Sequence, residues 1–224
     1  MKENKNLNRE LKMLNMRKSS IIILPILLIC LSSISFINCK KDKNSNMDLV
    51  IEKGENWAGE KKHGPQLVAW IEDVNGNFIS TVFITEKSSK KTFNRPEALP
   101  VWRHKKNSSK KDVDAVSGAT SKMPYNGNIN NDLLVNGQEY KVFLEINNSF
   151  DYNDFWTDGN SGVNGQPSLI YSGKFIAGQG DRIEIINNPI GYGSVDGSNG
   201  NITNGTDNLT TALTIINGAY ITIK

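Results

Sequence analysis

Residues 67–84 read LVAWIEDVNGNFISTVFI, and this stretch decides the fold class. Two apolar runs flank Asn75-Gly76, a dipeptide whose residues tolerate positive φ and therefore suit the tight turn of a β-hairpin. The same dipeptide recurs at Asn136-Gly137 and at Asn217-Gly218, again beside apolar runs. The sequence therefore predicts three antiparallel hairpins.

Further strands are predicted from alternation and from short apolar runs. Residues 140–146 alternate Tyr, Val, Leu and Ile with Lys, Phe and Glu, which is the period of a half-buried strand. The remaining candidate strands are residues 49–53, 67–71, 78–84, 133–135, 169–176, 182–186, 211–216 and 219–223. Many short strands with polar turns favour an all-β fold, an antiparallel β-sandwich.

Two segments between the strands have a different character. Residues 94–99 predict one short helix of a turn or two, which Pro100 is expected to end. Residues 191–208 are rich in Gly, Asn, Ser and Asp, and predict a long surface loop before the last hairpin.

The chain begins with the pattern of an export signal. Residues 1–18 carry six Lys or Arg, residues 21–37 are apolar and uncharged, and Cys39 follows. A basic region before an apolar one is typical of a secretory signal, and the Cys resembles the lipidation site of bacterial lipoproteins. The alternative is an uncleaved transmembrane anchor, because about 17–20 apolar residues can just span a bilayer. Both interpretations export the body to the periplasm or cell surface.

The organisation predicted on this basis is a signal over residues 1–38 with an anchor helix, a tether over residues 39–47 and one domain over residues 48–224.

The charge and the cysteines of the body exclude several functions. Six of the 26 basic and two of the 23 acidic residues lie in residues 1–39, so the rest of the chain carries 20 basic and 21 acidic residues. A nucleic-acid-binding body needs a basic excess, so nucleic acid is not expected as a partner. The other Cys lies inside the leader, which excludes internal disulfides and Cys chemistry from the body.

Catalytic and metal-binding patterns are not found in the body. The two His, His63 and His104, are isolated, and the acids of residues 151–158 lack the spacing of a calcium loop. We therefore predict no catalytic residue and no metal ligand. A hydrolase would lack a general base.

One segment carries a chemical signal. Residues 114–120 read DAVSGAT and follow a stretch, residues 87–111, that holds nine Lys or Arg. The heptapeptide resembles the attachment motif of proteins that carry FMN covalently, in which a flavin transferase moves FMN from FAD onto a Thr hydroxyl as a phosphoester. The alternative is an ordinary turn beside a solvated basic face.

This resemblance implies a set of cofactor-binding residues. Thr120 would supply the hydroxyl, small residues would let the backbone enter a foreign active site, and nearby cations would balance the phosphate charge. The motif positions are Asp114, Ser117, Gly118, Ala119 and Thr120, and the candidates for contacts with the flavin ring and phosphate are Trp102, Arg103 and residues 105–111.

A second resemblance covers more of the chain. Residues 70–79, WIEDVNGNFI, resemble the opening hairpin of domain-of-unknown-function family 2271, a family of predicted periplasmic proteins. Its later segments are comparable with residues 99–103, with the motif of residues 114–120, with Gly137, Tyr140 and Glu145, and with residues 165–171. The likeness spans about residues 48–190. It implies an Ig-like sandwich of unestablished activity, whose relatives accompany exported flavin-transfer and iron-reductase-type membrane components.

Two functions of different classes follow from these patterns. The first is an exported, lipid-anchored sandwich that serves as an accessory or carrier in electron transfer through FMN on Thr120, with a flavin transferase and a membrane redox component as partners. It is not expected to be a stand-alone enzyme. The second is a non-catalytic Ig-like binding or structural module of the cell envelope, with binding loops at one end.

Overall fold

A computed structural model describes residues 44–59, 64–85, 88, 95–108, 116–118, 125–130, 133–179, 182–185 and 188–223. All of these residues fall in one compact unit, Asp42–Lys224. The predicted signal, Cys39, His63, Asp114, Ala119 and Thr120 lie outside the described residues. Within the described ranges, no helix has both the length and the apolar character that crossing a bilayer requires.

Four strands form the smaller sheet. They are β1 (Asn44–Lys53), β5 (Tyr125–Asn130), β8 (Arg182–Glu184) and β10 (Ile216–Ile223). The order across this sheet is β5-β1-β10-β8, and every neighbouring pair is antiparallel. The first and last strands of the described chain are therefore partners at its centre.

Six strands form the larger sheet. They are β2 (Gln66–Asp73), β3 (Phe78–Thr85), β4 (Val116–Gly118), β6 (Glu139–Asn147), β7 (Leu169–Ile176) and β9 (Gly191–Tyr192). The order is β4-β3-β2-β6-β7-β9, so β4 and β9 lie at its two edges. All pairs are antiparallel except β3 with β4, which is parallel.

Apolar side chains from both sheets form a single main core. The smaller sheet contributes Leu49, Ile51, Ala219 and Ile221, and the larger sheet contributes Leu67, Ala69, Ile71, Val142, Leu144, Ile146, Leu169 and Tyr171. Burial of this shared apolar surface holds the two sheets together. The prediction of an all-β sandwich is confirmed.

A second apolar layer lies on the opposite face of the larger sheet, where helix α1 (Pro100–Ser108) covers it. Its sheet side consists of Val68, Trp70, Phe78, Ile84, Phe143 and Ile170, and its helix side of Ala98, Leu99, Val101 and Trp102. Successive strand residues point to opposite faces, so the central strands of this sheet are buried on both. The prediction that residues 140–146 form a half-buried strand is therefore wrong for the second half of β6.

Helix α1 corrects the expectation for residues 94–100. A single 3-10 turn, Pro96–Ala98, precedes the helix, and Pro100 begins it instead of ending a shorter one. Proline suits the first helical position, because its fixed φ matches the helix and its missing N–H would have no partner there. The other short helical segments are α2 (Asp158–Ser161) and the 3-10 turns Gly162–Asn164 and Thr211–Thr214.

The hairpin prediction at Asn75-Gly76 is confirmed. Gly76 has φ +82°, and the backbone N–H of Asp73 donates to the carbonyl of Asn77 at 3.0 Å, which closes the turn between β2 and β3. The Asp73 carboxylate accepts the backbone N–H groups of Asn75 and Asn77 and the amide side chain of Asn77. These bonds, the side chain of Asn77 first, hold the pKa of Asp73 below its ordinary value.

The other two dipeptides do not form hairpins. A turn occurs at Asn136-Gly137, but residues 133–135 form no strand, because β6 already pairs with β2 and β7 on its two edges. Asn217 and Gly218 lie inside β10, where the pairing shifts from Glu52–Gly218 to Lys53–Ile216 and leaves Asn217 as an extra residue. This is a β-bulge. Residues 211–214, expected as strand, form a 3-10 turn instead.

Candidate functional site

Glu145 is the centre of a candidate site between β6 and α1. It lies on β6, is 0% exposed, and its carboxylate accepts the backbone N–H groups of Val101 at 3.2 Å and Trp102 at 2.8 Å. The first N–H groups of an α-helix have no partner within the helix. The carboxylate supplies that partner and thereby fastens the beginning of α1 to the sheet.

Ser168 and Arg103 complete the surroundings of this carboxyl group. The Ser168 hydroxyl donates to Glu145 at 2.7 Å, and the positive charge of Arg103 acts on it from the helix. Each of these groups favours the ionised form, but removal from water disfavours it more. Burial therefore raises the pKa of Glu145 to about 7 from an ordinary value of 4.5.

The glycine-rich segment 191–208 closes over this site. Gly193 lies so near that a Cβ atom there would approach Pro100 Cγ and Ser168 Oγ to 2.7 Å, and a Cβ at Gly200 would approach His104 Cβ to 2.4 Å. The segment is irregular apart from β9, as expected. It is nevertheless not a simple surface loop, because its glycines at positions 191, 193 and 197 are buried.

A second set of contacts joins α1 to the β2–β3 hairpin. Trp70 Nε1 donates to Glu72 at 2.8 Å, and Lys105 Nζ lies 3.1 Å from the other carboxylate oxygen of Glu72 and 3.1 Å from the carbonyl oxygen of Gly76. The Trp70 ring stacks on Phe143 with ring centroids 5.2 Å apart. The Trp-x-Glu-Asp-x-Asn-Gly pattern thus forms a structural platform for the helix.

Trp102 and Arg103, predicted as flavin contacts, both lie on α1. Trp102 is 6% exposed, its Nε1 donates to Thr81 at 2.9 Å, and the ammonium of Lys106 lies 5.2 Å from the centroid of its ring. Arg103 donates to the carbonyl of Arg95 at 3.1 Å. These contacts hold the helix in place, and the flavin roles of both residues stay predictions.

Residues 114–120, called the flavin motif because they resemble an FMN-attachment site, are described only in part. Val116, Ser117 and Gly118 form β4, which pairs in parallel with Phe83, Ile84 and Thr85 of β3 at the edge of the larger sheet. The structure does not describe Asp114, Ala119 or Thr120. The described part of the motif, residues 116–118, thus lies on the outermost strand of the larger sheet.

The acidic residues 151–158 have separate environments. Asp151 is buried and accepts the hydroxyl of Thr211, whereas Asp158 is exposed and accepts the hydroxyl of Tyr152 at 3.0 Å. Among the residues that the structure describes, no group of three His, Cys, Asp or Glu is arranged to hold a metal ion. His104 Nε2 lies 3.2 Å from the carbonyl oxygen of Gly197, at the contact between α1 and the glycine-rich segment.

Sequence reasoning did not identify Glu145 as a buried group, although the comparison with the family singled it out. Alternation placed it on the solvent side of β6 together with Lys141 and Phe143. The signal that could have revealed it was Phe143, because a large aromatic residue on the supposedly polar face indicates a second covered layer.

In the comparison with known proteins, one family model matches part of the chain. Residues 50–146 match the model of a family described as "Predicted periplasmic protein (DUF2271)", which supports an extracytoplasmic location. The match includes the β2–β3 hairpin, α1, the segment 114–120 and Glu145, but ends before residues 165–171, for which a resemblance to the same family is also expected from the sequence. No curated protein and no solved structure matches the chain.

Proposed function

We propose that the chain is an extracytoplasmic β-sandwich protein that carries FMN as a phosphoester on Thr120 and serves as an accessory or carrier in electron transfer. The family description supports the location. We further propose that lipid on Cys39 anchors it to a membrane. Its partners would be a flavin transferase and a membrane redox component, and it would not act as a stand-alone enzyme.

The observation that carries this proposal is the position of β4. Ser117 and Gly118 belong to a three-residue strand at the sheet edge, and Ala119 and Thr120 follow it directly. An edge strand presents unpaired backbone N–H and C=O groups that another protein can bind. A modifying enzyme could therefore approach this segment without opening either apolar core, which is the access that attachment requires.

The cations on α1 differ in their availability to a phosphate. Lys105 is held by Glu72 and by a backbone carbonyl, whereas Lys106 contacts the Trp102 ring and, within the described residues, no carboxylate. We therefore assign the phosphate contact to Lys106 rather than Lys105. Because little of the Trp102 surface is exposed, its expected role is to support the helix rather than to stack on the flavin.

When bound, FMN supplies one- and two-electron chemistry. The residues of the chain would hold it and keep it at the surface of a rigid sheet, where a redox partner can dock. The Thr120 hydroxyl would provide the covalent link, and Lys106 would balance part of the phosphate charge.

The test is to co-express the protein with an exported flavin transferase, denature it, and record in-gel fluorescence and intact mass. We expect flavin that survives denaturation in the wild type and in Ser121→Ala, which removes the adjacent hydroxyl. Thr120→Val is expected to abolish it, because no hydroxyl remains at the attachment position.

A known flavin-carrying protein expressed alongside shows that the transferase is active. With that control positive, an unmodified wild-type mass would overturn the proposal and favour a non-catalytic binding module. Flavin that persists in Thr120→Val would place the attachment elsewhere.

A further inference from the structure

Glu145 joins three parts of the molecule through a single carboxyl group. It projects from β6, accepts two backbone N–H groups at the start of α1, and accepts the hydroxyl of Ser168 just before β7. Gly193 of the glycine-rich segment lies against it, with room for no side chain. The proposed flavin function makes no use of this group.

The charges around Glu145 do not compensate for its burial. From the helix, Arg103 provides the only charge found to act on it within the described chain. Its neighbours on the adjoining strands, Val68 of β2 and Ile170 of β7, are apolar, and Ser168 and Gly193 are neutral. A carboxylate sealed in this way loses the water that would otherwise stabilise its charge.

We propose that Glu145 is a proton-operated latch for α1: proton uptake favours the docked helix, and ionisation favours a state in which the helix lifts and the carboxylate regains water. The protonated carboxyl can donate from Oε1 to Ser168 Oγ, while Oε2 still accepts the backbone N–H of Trp102. The latch rests only on described residues and is independent of flavin attachment.

The direction of the pH effect follows from linkage. The pKa of Glu145 is raised to about 7 in the docked state, whereas in water a glutamate has its ordinary value of 4.5. The docked state therefore keeps a proton that the lifted state releases. Between these two values, the lifted fraction rises about tenfold per pH unit, and above pH 7 it levels off. A protein outside the cytoplasm meets the pH of its surroundings directly.

Amide hydrogen exchange tests the latch at the two N–H groups that Glu145 accepts, those of Val101 and Trp102. The protein is taken as recovered from the cell envelope, and exchange is measured from pH 5 to 8.5 and corrected for intrinsic rates. In the wild type, we expect protection to fall about tenfold per pH unit up to about pH 7 and then to level off. Glu145→Gln should remove this pH dependence.

Glu139→Gln is the matched control. Glu139 lies on the same strand, but it is exposed and pairs with Lys174, so this variant should behave as the wild type. Wild-type protection that is constant across pH, or a pH dependence that survives in Glu145→Gln, would overturn the proposal. If Glu145→Gln does not fold, carbon-13 NMR titration of the wild-type glutamates decides: a Glu145 carboxyl that ionises near its ordinary pKa refutes the latch.

Discussion

Single residues determine how closely the glycine-rich segment packs on the 3-10 turn that precedes α1. Gly197 has φ +72°, and a Cβ atom there would lie 2.6 Å from the backbone N of Glu97 and 2.7 Å from the backbone C of Pro96. Backbone atoms cannot swing away as a long side chain can. Two penalties therefore oppose any other residue at this position: the left-handed backbone conformation and the steric overlap.

These two penalties can be measured separately with a matched pair of variants. Gly205 has φ +93°, but no atom lies within 4 Å of the position that its Cβ would occupy. We expect Gly205→Ala to lower the free energy of unfolding by about 1 kcal/mol, from conformation alone. Gly197→Ala should lower it by about 3 kcal/mol, because overlap is added. Urea unfolding measures both, and equal losses would contradict the close packing.

For single residues, turn positions could be predicted from the sequence more reliably than the burial of side chains. The turn glycine Gly76 was predicted because only local backbone chemistry decides it. The burial of Glu145, Trp102 and Gly193 was not predicted, because it depends on which distant segment covers the sheet. Whether Thr120 carries a cofactor stays a prediction from the motif alone.

Among the elements, α1 is the one that brings the candidate site together. It is held at its first turn by Glu145 and further along by Lys105, which pairs with the buried carboxylate of Glu72. The side chain of Glu72 is 5% exposed, so water reaches little of it and Lys105 is its cationic partner. The Lys174–Glu139 pair has the same 3.1 Å separation, but its side chains are 64% and 44% exposed.

Because the two ion pairs differ in burial, removing the lysine of each should lower the free energy of unfolding by different amounts. Lys105→Met should lower the free energy of unfolding by about 2 kcal/mol, because it leaves a buried carboxylate without its cation. Lys174→Met should change it by less than about 0.5 kcal/mol, because water already solvates both charges. Chemical denaturation at neutral pH measures both values. A loss for Lys105→Met no larger than that for Lys174→Met would show that Glu72 does not need this partner.

Most strands could be predicted from the sequence, because apolar runs and alternation are local signals. β7 was predicted at its observed bounds, Leu169–Ile176. The errors arose where the environment of a segment depends on its partners: the Asn217-Gly218 bulge exists because β10 pairs with β1 on one side and β8 on the other. The position and length of helix α1 were predicted wrongly, because a proline such as Pro100 can either end one helix or begin the next.

For the whole molecule, the sandwich separates two tasks. The main core between the sheets provides stability, and the second layer holds α1, which lies in the part of the chain that matches the family model. The flavin motif continues from an edge strand of the same larger sheet. The edge proposed for flavin attachment and the helix proposed to respond to pH therefore lie on the same sheet, and each proposal can be tested in a separate experiment.

Anchoring of the whole protein is the last prediction. If Cys39 is lipidated, the wild type should lack residues 1–38, carry a mass increment and incorporate labelled fatty acid. Acyl chains contribute about 0.8 kcal/mol per buried CH₂, so the lipid keeps the body on the membrane after the apolar leader is removed. Cys39→Ser should lose the label and retain the leader, whereas Cys30→Ser should behave as the wild type. A wild-type protein that keeps residues 1–38 and takes up no label would instead establish the transmembrane anchor.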